Sequence, residues 1–477
     1  MTEVPVPLPS PPKISRAVPV VTPRGTATRL PLVLVMAYLV ATFALFLLWP
    51  INWPIYHADD WIRLIGYMVL CLVVAGGCAF AGSAGDTRVS GPLPMLPALL
   101  AAGAVVAALL LIPTSYAYTG RPPWEAMDAL RDQGGAYRRL QTQLLATTGQ
   151  RNAIVALRAF SAPLTYLVLP LGVTRWSSIG WTGRAAVVVT VLCSIVFSIM
   201  RGTDKEIADL FVVGVAAAFV SFGRSRVLGH QGFQLVRRYW SWGLVALVFL
   251  SFAQGLFIER KDQRLGGFIN RSVVCANNSR ICADLQSPWI AWLPLPQRFG
   301  ATVFILSTCS GYYGLELALE KPFDPAFGVG HSPASLSVYE AVTGDPSLHL
   351  RTYTYRNGGD HWSEEYYWST LMTWLANDVG FPGAVLVLGL VAWLWGLWWR
   401  EAAAGMSDPA AVLFCLTTTM MFYLPANNQV LASYDGYVIL AVWIGVWLWH
   451  RRRHALSAVL SAPPLSVLGD VAGRPPA

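Results

Sequence analysis

The chain has 477 residues, 55% of them apolar and only 13% charged, with a mean hydropathy of +0.49. A soluble domain carries about 25% charged residues, so this composition excludes a cytosolic enzyme, a disulfide scaffold and a disordered chain. The 34 basic residues exceed the 26 acidic ones, a net +8. Where they sit decides whether they orient the chain in a membrane or hold an anionic ligand.

Ten stretches are apolar enough to cross a bilayer, with apolar cores of about 14–21 residues. In chain order they are Leu30–Trp49, Ile62–Gly82, Pro92–Ile112, Ala153–Val173, Ala185–Met200, Ile207–Phe222, Tyr239–Ile258, Phe381–Trp399, Ala410–Leu424 and Gly436–Trp449. The expected fold is therefore an all-α polytopic membrane protein. The first 29 residues are Pro-rich, carry Lys13, Arg16, Arg24 and Arg29, and precede a full-length span. They read as a cytoplasmic tail rather than a cleaved signal peptide.

Charge placement supports that count. With the N-terminus inside, the inner connections hold Arg88, then Arg175 and Arg184, then Arg224, Arg226, Arg237 and Arg238, then Arg400. The tail 451–477 opens on Arg451, Arg452 and Arg453, whereas the outer loop Asn52–Trp61 has no Lys or Arg. This is the positive-inside pattern, with both termini cytoplasmic. The expected organisation is a tail at 1–29, spans one to seven over 30–258, an outer loop at 259–380, and spans eight to ten over 381–450. Ala301–Leu319 is apolar too, but a crossing there would put Arg451–Arg453 outside. It is expected to lie on or dip into the outer face.

The loop 259–380 is far longer than an ordinary connection, so a function is expected there. Sixteen of the 34 basic residues fall in outer loops. Of the seven cysteines, Cys275 and Cys282 share the large loop, where an oxidising compartment permits a disulfide, and no second ligand pair makes a zinc site. The other cysteines lie in apolar stretches and read as small buried residues.

Four places could carry chemistry. In the turn Arg201-Gly202-Thr203-Asp204-Lys205-Glu206, Arg201 and Lys205 could neutralise a phosphate, or simply pair with Asp204 and Glu206. Arg158 lies inside the fourth span, where an Arg costs roughly 2.5–3.5 kcal/mol and is by default functional. It faces either a polar cavity or, snorkelling, the outer surface. The end of the large loop brings Arg351, Arg356, Asp360, His361 and Glu364 together with aromatics suited to sugar rings. Trp368, Leu371, Met372 and Leu375 follow helical spacing, which predicts an amphipathic interfacial helix, and Asn377-Asp378 reads as a cap before Pro382. Asp59-Asp60 could hold a divalent metal or cap the second span.

The chain resembles the Wzy-type polysaccharide polymerases. The resemblance rests on Gly202-Thr203-Asp204-Lys205, on Gly311-Tyr312-Tyr313-Gly314-Leu315, and on Phe327-Gly328-Val329-Gly330-His331-Ser332. It rests further on Trp368-Ser369-Thr370, on Ala376-Asn377-Asp378-Val379-Gly380-Phe381-Pro382-Gly383, and on Pro425-Ala426-Asn427-Asn428-Gln429. O-antigen ligases are similar in architecture, but their pattern expects a His where Trp368 stands, about twelve residues before Gly380, and His361 lies further upstream. The resemblance implies inverting transfer between undecaprenyl-pyrophosphate-linked glycans at the outer face of a bacterial inner membrane. It implies no nucleotide sugar, cofactor or obligatory metal, and a chain-length regulator and a flippase as partners beside membrane lipid. Arg201 and Lys205 are expected to hold the pyrophosphate, with Arg158 and Arg351 or Arg356 assisting. His361, Asp360 or Glu364 is expected at the acceptor hydroxyl. Nucleic acid is not expected as a partner. The alternatives are a metal-dependent GT-C glycosyltransferase using Asp59 and Asp60, an O-antigen ligase, and a flippase or transporter of lipid-linked sugars, although no internal repeat of the transporter kind is evident.

Overall fold

The computed structural model describes residues 29–85, 87, 93–145, 149–227, 254–255, 257–263, 267, 271–275, 281–364 and 366–460. Nearly all the regular structure is helical. The first half comprises α1 (Leu30–Leu48), α2 (Ala58–Ser83), α3 (Leu96–Thr119), α4 (Ala126–Arg131), α5 (Gln133–Leu145), α6 (Gly149–Tyr166), α7 (Val168–Thr174), α8 (Trp181–Arg201) and α9 (Lys205–Val227). The second half contains α10 (Leu295–Cys309), α11 (Gly311–Leu319), α12 (Pro333–Thr343), α13 (Leu371–Ala403), α14 (Asp408–Tyr423) and α15 (Tyr434–Leu460), with short helical turns between α12 and α13. A small antiparallel sheet pairs β1 (Ile51–Asn52) with β3 (Cys282–Asp284), and β3 with β2 (Val273–Cys275).

Among the described residues, seven helices are long and apolar enough to cross a membrane: Leu30–Leu48, Ala58–Ser83, Leu96–Thr119, Arg151–Thr174, Trp181–Arg201, Lys205–Val227 and Leu371–Ala403. These match seven of the ten expected spans. The expected span Tyr239–Ile258 lies almost wholly outside the described residues. The last two expected spans fall in α14 and α15. Helix α14 has 16 residues, about 24 Å at 1.5 Å per residue, short of a 30 Å hydrocarbon core. It is also buried on every side from Asp408 to Met421. A helix apolar all round belongs at the centre of a bundle.

Backbone approach sets the packing. Tyr67 of α2 donates to the Phe381 carbonyl at 3.1 Å, and further along a Cβ on Gly82 or Gly396 would collide with the carbonyl of Trp393 or Ala79. α2 and α13 therefore run side by side in the same direction, at a separation that small residues permit. The outward faces stay apolar: Val40, Val73, Leu109, Phe160 and Leu386 are each more than half exposed. So many exposed large apolar side chains are uncommon on a water-soluble surface.

The two ends of the bundle are polar in different ways. At one end, fully buried Asp408 accepts from Leu93 N at 3.0 Å, Arg175 Nε at 3.0 Å and Arg224 Nη1 at 3.1 Å. At the other end lie the sheet, α10, α11 and the residues preceding α13. The Cys275–Cys282 disulfide closes the β2–β3 hairpin.

Three local segments differ in detail from what the sequence suggests. Leu371, Met372 and Leu375 belong to no interfacial amphipathic helix. Thr370 caps α13, its side chain accepting from Thr373 N, and residues 371 to 377 are buried throughout. A kink at Gly380 (φ +68°) does start a new helical segment just before Pro382, as expected, but the side chains of Asn377 and Asp378 bind neighbouring loops instead of capping it. Ala301–Leu319 breaks at Ser310 into α10 and α11. It packs on α1 through Trp49 Nε1 donating to Thr302 at 3.0 Å and a Thr42–Tyr312 hydroxyl pair at 3.0 Å.

Candidate functional site

A cavity of about 430 Å³ opens between α3, α6, α8, α9, α14 and α15. Its walls are apolar (Leu110, Val155, Leu210 and Ile439 among them) and its polar rim contains Arg158, Arg201, Lys205, Glu206, Asp209 and Asp435. The turn carrying this rim exists because Gly202 takes a left-handed φ of +59° after α8. A Cβ there would lie 2.7 Å from the Gln133 carbonyl oxygen and 2.9 Å from Tyr137 N. Glycine removes both the strain and the clash, and α5 can then brace the turn.

Arg158 Nε meets Asp435 at 2.7 Å, which brings the half-buried arginine of the fourth expected span to the first turn of α15. Arg201 pairs with Glu206, whose other oxygen accepts from Thr203 at 2.9 Å. Lys205 pairs with Asp209 at 3.2 Å, and Asp204 accepts from Arg260 at 2.9 Å. The pairing of the turn's own charges is thus correct only for Arg201 with Glu206.

The two guanidinium groups also share an aromatic floor. Arg158 lies 5.7 Å from the Tyr118 ring centre and 5.2 Å from that of Phe197. For Arg201 the same distances are 5.4 and 5.2 Å, and Arg151 adds a third cation 5.6 Å from Tyr118. Stacking fixes the planes while leaving edge N–H groups available. Among the described residues the buried Nε of Arg201 has no hydrogen-bond partner, which leaves that donor open to a ligand. Formally the rim balances three cations with three carboxylates. Each guanidinium carries five N–H donors, more than one carboxylate uses, so donors remain for an anion.

The residues expected at the end of the large loop line no part of this cavity. Asp360 pairs with Lys321. Arg356 donates to the Pro322 carbonyl at 2.9 Å and lies over Tyr353. Arg351 lies 3.8 Å from Asp324 and over Phe327. Glu364 pairs with His349, which also meets Glu340 at 2.8 Å. The Glu364 partner chiefly, with Glu340 assisting against burial, raises the His349 pKa to about 9. His361 is exposed at a φ of +61°, ending a 3₁₀ turn. Asp360, Arg356 and Arg351 thus all meet the segment 321–324, away from the cavity, while Glu364 turns to His349. Asp59 and Asp60 sit in the first turn of α2, where negative charge favours the helix.

A different histidine is built into a network. His331 Nδ1 meets Asp378 Oδ2 at 2.9 Å, and Asp378 also accepts backbone N–H groups of Gly328, Gly330 and His331 at 2.9, 2.8 and 2.9 Å. The other ring nitrogen of His331 meets the Tyr437 hydroxyl, two residues beyond Asp435 on α15. Asn377 donates to the Gly330 carbonyl at 2.8 Å, and Asn428 to the His331 carbonyl at 2.6 Å. Gly311 and Gly314 lie so close to Pro425, Ala426, Ser369 and Trp362 that a Cβ on either would clash. Five of the six short motifs therefore interlock in space. His331 and Asp378 stood in those motifs, but sequence spacing assigned them no chemistry.

No protein-family profile, no curated protein and no solved structure matches this chain. The functional reading therefore rests on the cavity, the histidine network and the motifs.

Proposed function

We propose that this chain is a polysaccharide polymerase that joins undecaprenyl-pyrophosphate-linked oligosaccharide repeat units by inverting glycosyl transfer. The observation that carries this reading is the cavity where Arg158, Arg201 and Lys205 meet an apolar wall at one end of a membrane-type bundle. A lipid pyrophosphate needs both features: a cationic rim for the anion and apolar helices beside it for the chain.

In this reading that end faces the outer side of a bacterial inner membrane. Ten spans then place both termini in the cytoplasm and residues 259–380 outside. The positive-inside pattern supports this, as does the disulfide between Cys275 and Cys282, which belongs in an oxidising compartment.

The acceptor hydroxyl attacks the anomeric carbon of the donor, the bond from that carbon to the pyrophosphate oxygen breaks, and undecaprenyl pyrophosphate leaves with the electron pair. Arg201 and Lys205, assisted by Arg158, stabilise the charge developing on the leaving group. Asp378 holds His331 through Nδ1, so Nε2 with the Tyr437 hydroxyl takes the proton of the acceptor. This role passes from His361 to His331 because His331 has the carboxylate partner and neighbours a residue of the cavity's own helix.

The test is the glycan profile of a deletion strain, read with its lipid-linked intermediates. Single repeat units on the outer leaflet and no polymer are expected, with polymer restored by the wild-type gene. Repeat units retained on the inner leaflet would assign the chain to flipping, and full-length polymer would remove the reading altogether.

A further inference from the structure

A second group of charges lies away from the cavity, where α2 begins against α11. Asp60, Glu316 and Glu320 each bring a carboxylate oxygen within 4.8 Å of the others. Oxygens that bind one calcium ion at about 2.4 Å lie no more than about 4.8 Å apart, so the spacing suits a shared hard cation.

The balance of charge at this place is incomplete. Arg63 meets Asp60 at 2.7 Å and Glu320 at 3.1 Å, from a rim position with 39% of its side chain exposed. Lys321 is engaged by Asp360. Glu316 is only 3% exposed, is aimed at the two other carboxylates and accepts no hydrogen bond among the described residues. A carboxylate this buried that accepts no hydrogen bond is costly, and Arg63 and Lys321 offset only part of that cost. Burial first, and then Glu320 and Asp60, push its pKa up to about 7.

We propose that Asp60, Glu316 and Glu320 bind a hard divalent cation of the calcium, magnesium or manganese class, which clips the start of α2 to α11. Arg63 is the counter-ion that the metal displaces toward solvent. Oxygen-only ligands favour these ions over zinc or copper. The site is separate from the pyrophosphate cavity and stands independently of the polymerase reading.

The test is manganese binding to the full chain in detergent, stripped with chelator and followed by electron paramagnetic resonance, with calcium as competitor. Saturable binding is expected in the wild type. Glu316→Gln and Glu320→Gln should each bind at least about tenfold more weakly, the loss that even an outer partner causes at a metal site. Asp59→Asn, on an exposed neighbour, should bind as the wild type does. Arg63→Ala should bind more tightly, because it removes the competing cation and keeps all three ligands. That variant decides the matter if Glu316→Gln does not fold. Absence of saturable binding in the wild type would overturn the proposal. So would equal affinity in Glu316→Gln, or unchanged affinity in Arg63→Ala.

Discussion

Two arginine–carboxylate clusters occupy opposite ends of this bundle, and they differ in how many donors they leave over. At the Asp408 end the carboxylate is fully buried between Arg175, Arg224 and Leu93 N. Arg224 engages its other two nitrogens with the carbonyls of Ala402 at 2.8 Å and Ser407 at 3.0 Å, so each of its three nitrogens donates a hydrogen bond. At the other end Arg158 and Arg201 have one carboxylate each, share two aromatic rings and face about 430 Å³ of space. Residue types alike in sequence thus form a closed lock in one place and the rim of an open cavity in the other. Saturation of the donors distinguishes them.

The largest effect should come from opening the lock. Asp408→Ala leaves buried Arg224 and half-buried Arg175 without their counter-ion, a loss of about 3–5 kcal/mol, and the protein should fail to purify as a monodisperse species. Asp435→Ala frees Arg158 beside a cavity, so it should purify normally. Equal damage from both would break the comparison.

Next in size is the histidine network. His331→Gln should lower the rate of polymerisation by about a hundred- to ten-thousand-fold, the range of a general base, with little change in thermal stability. His361→Gln should leave the rate unchanged. A strong loss at His361 would return the acceptor role to the end of the large loop.

Smaller effects are expected where loop residues pair locally. Arg356→Ala should cost about 0.5–1 kcal/mol from its contact with Tyr353 and leave polymer length intact. His349 supplies a pH effect. Its folded pKa is about 9, raised chiefly by Glu364, against an unfolded value near 6.5. Its stabilisation is complete below about pH 6.5 and is lost as pH rises through about 9. Melting temperature should fall across that window in the wild type, and His349→Gln should flatten the fall.

Much of this architecture was legible from residues alone. Hydropathy located the seven long apolar helices, because lipid imposes length and apolarity on any span. An arginine inside a span marked Arg158, and a Gly-bearing cationic turn marked Arg201 and Lys205. The partners were not legible. Asp435 lies far along the chain from Arg158, and Asp378 is 47 residues from His331. Loop pairings of this kind carry no periodicity. The surroundings of His361 show the same limit: closeness in sequence does not give closeness in space, and its neighbour Glu364 turns to His349, 15 residues earlier.

The central claim is that Arg201 holds the leaving pyrophosphate. It is tested by polymerisation in vitro with purified protein and an undecaprenyl-pyrophosphate-linked repeat unit. Arg201→Ala should lower the turnover rate by about a hundred- to a thousand-fold, as loss of one charge-stabilising donor does, while melting like the wild type. Wild-type turnover in a folded Arg201→Ala protein would contradict the account.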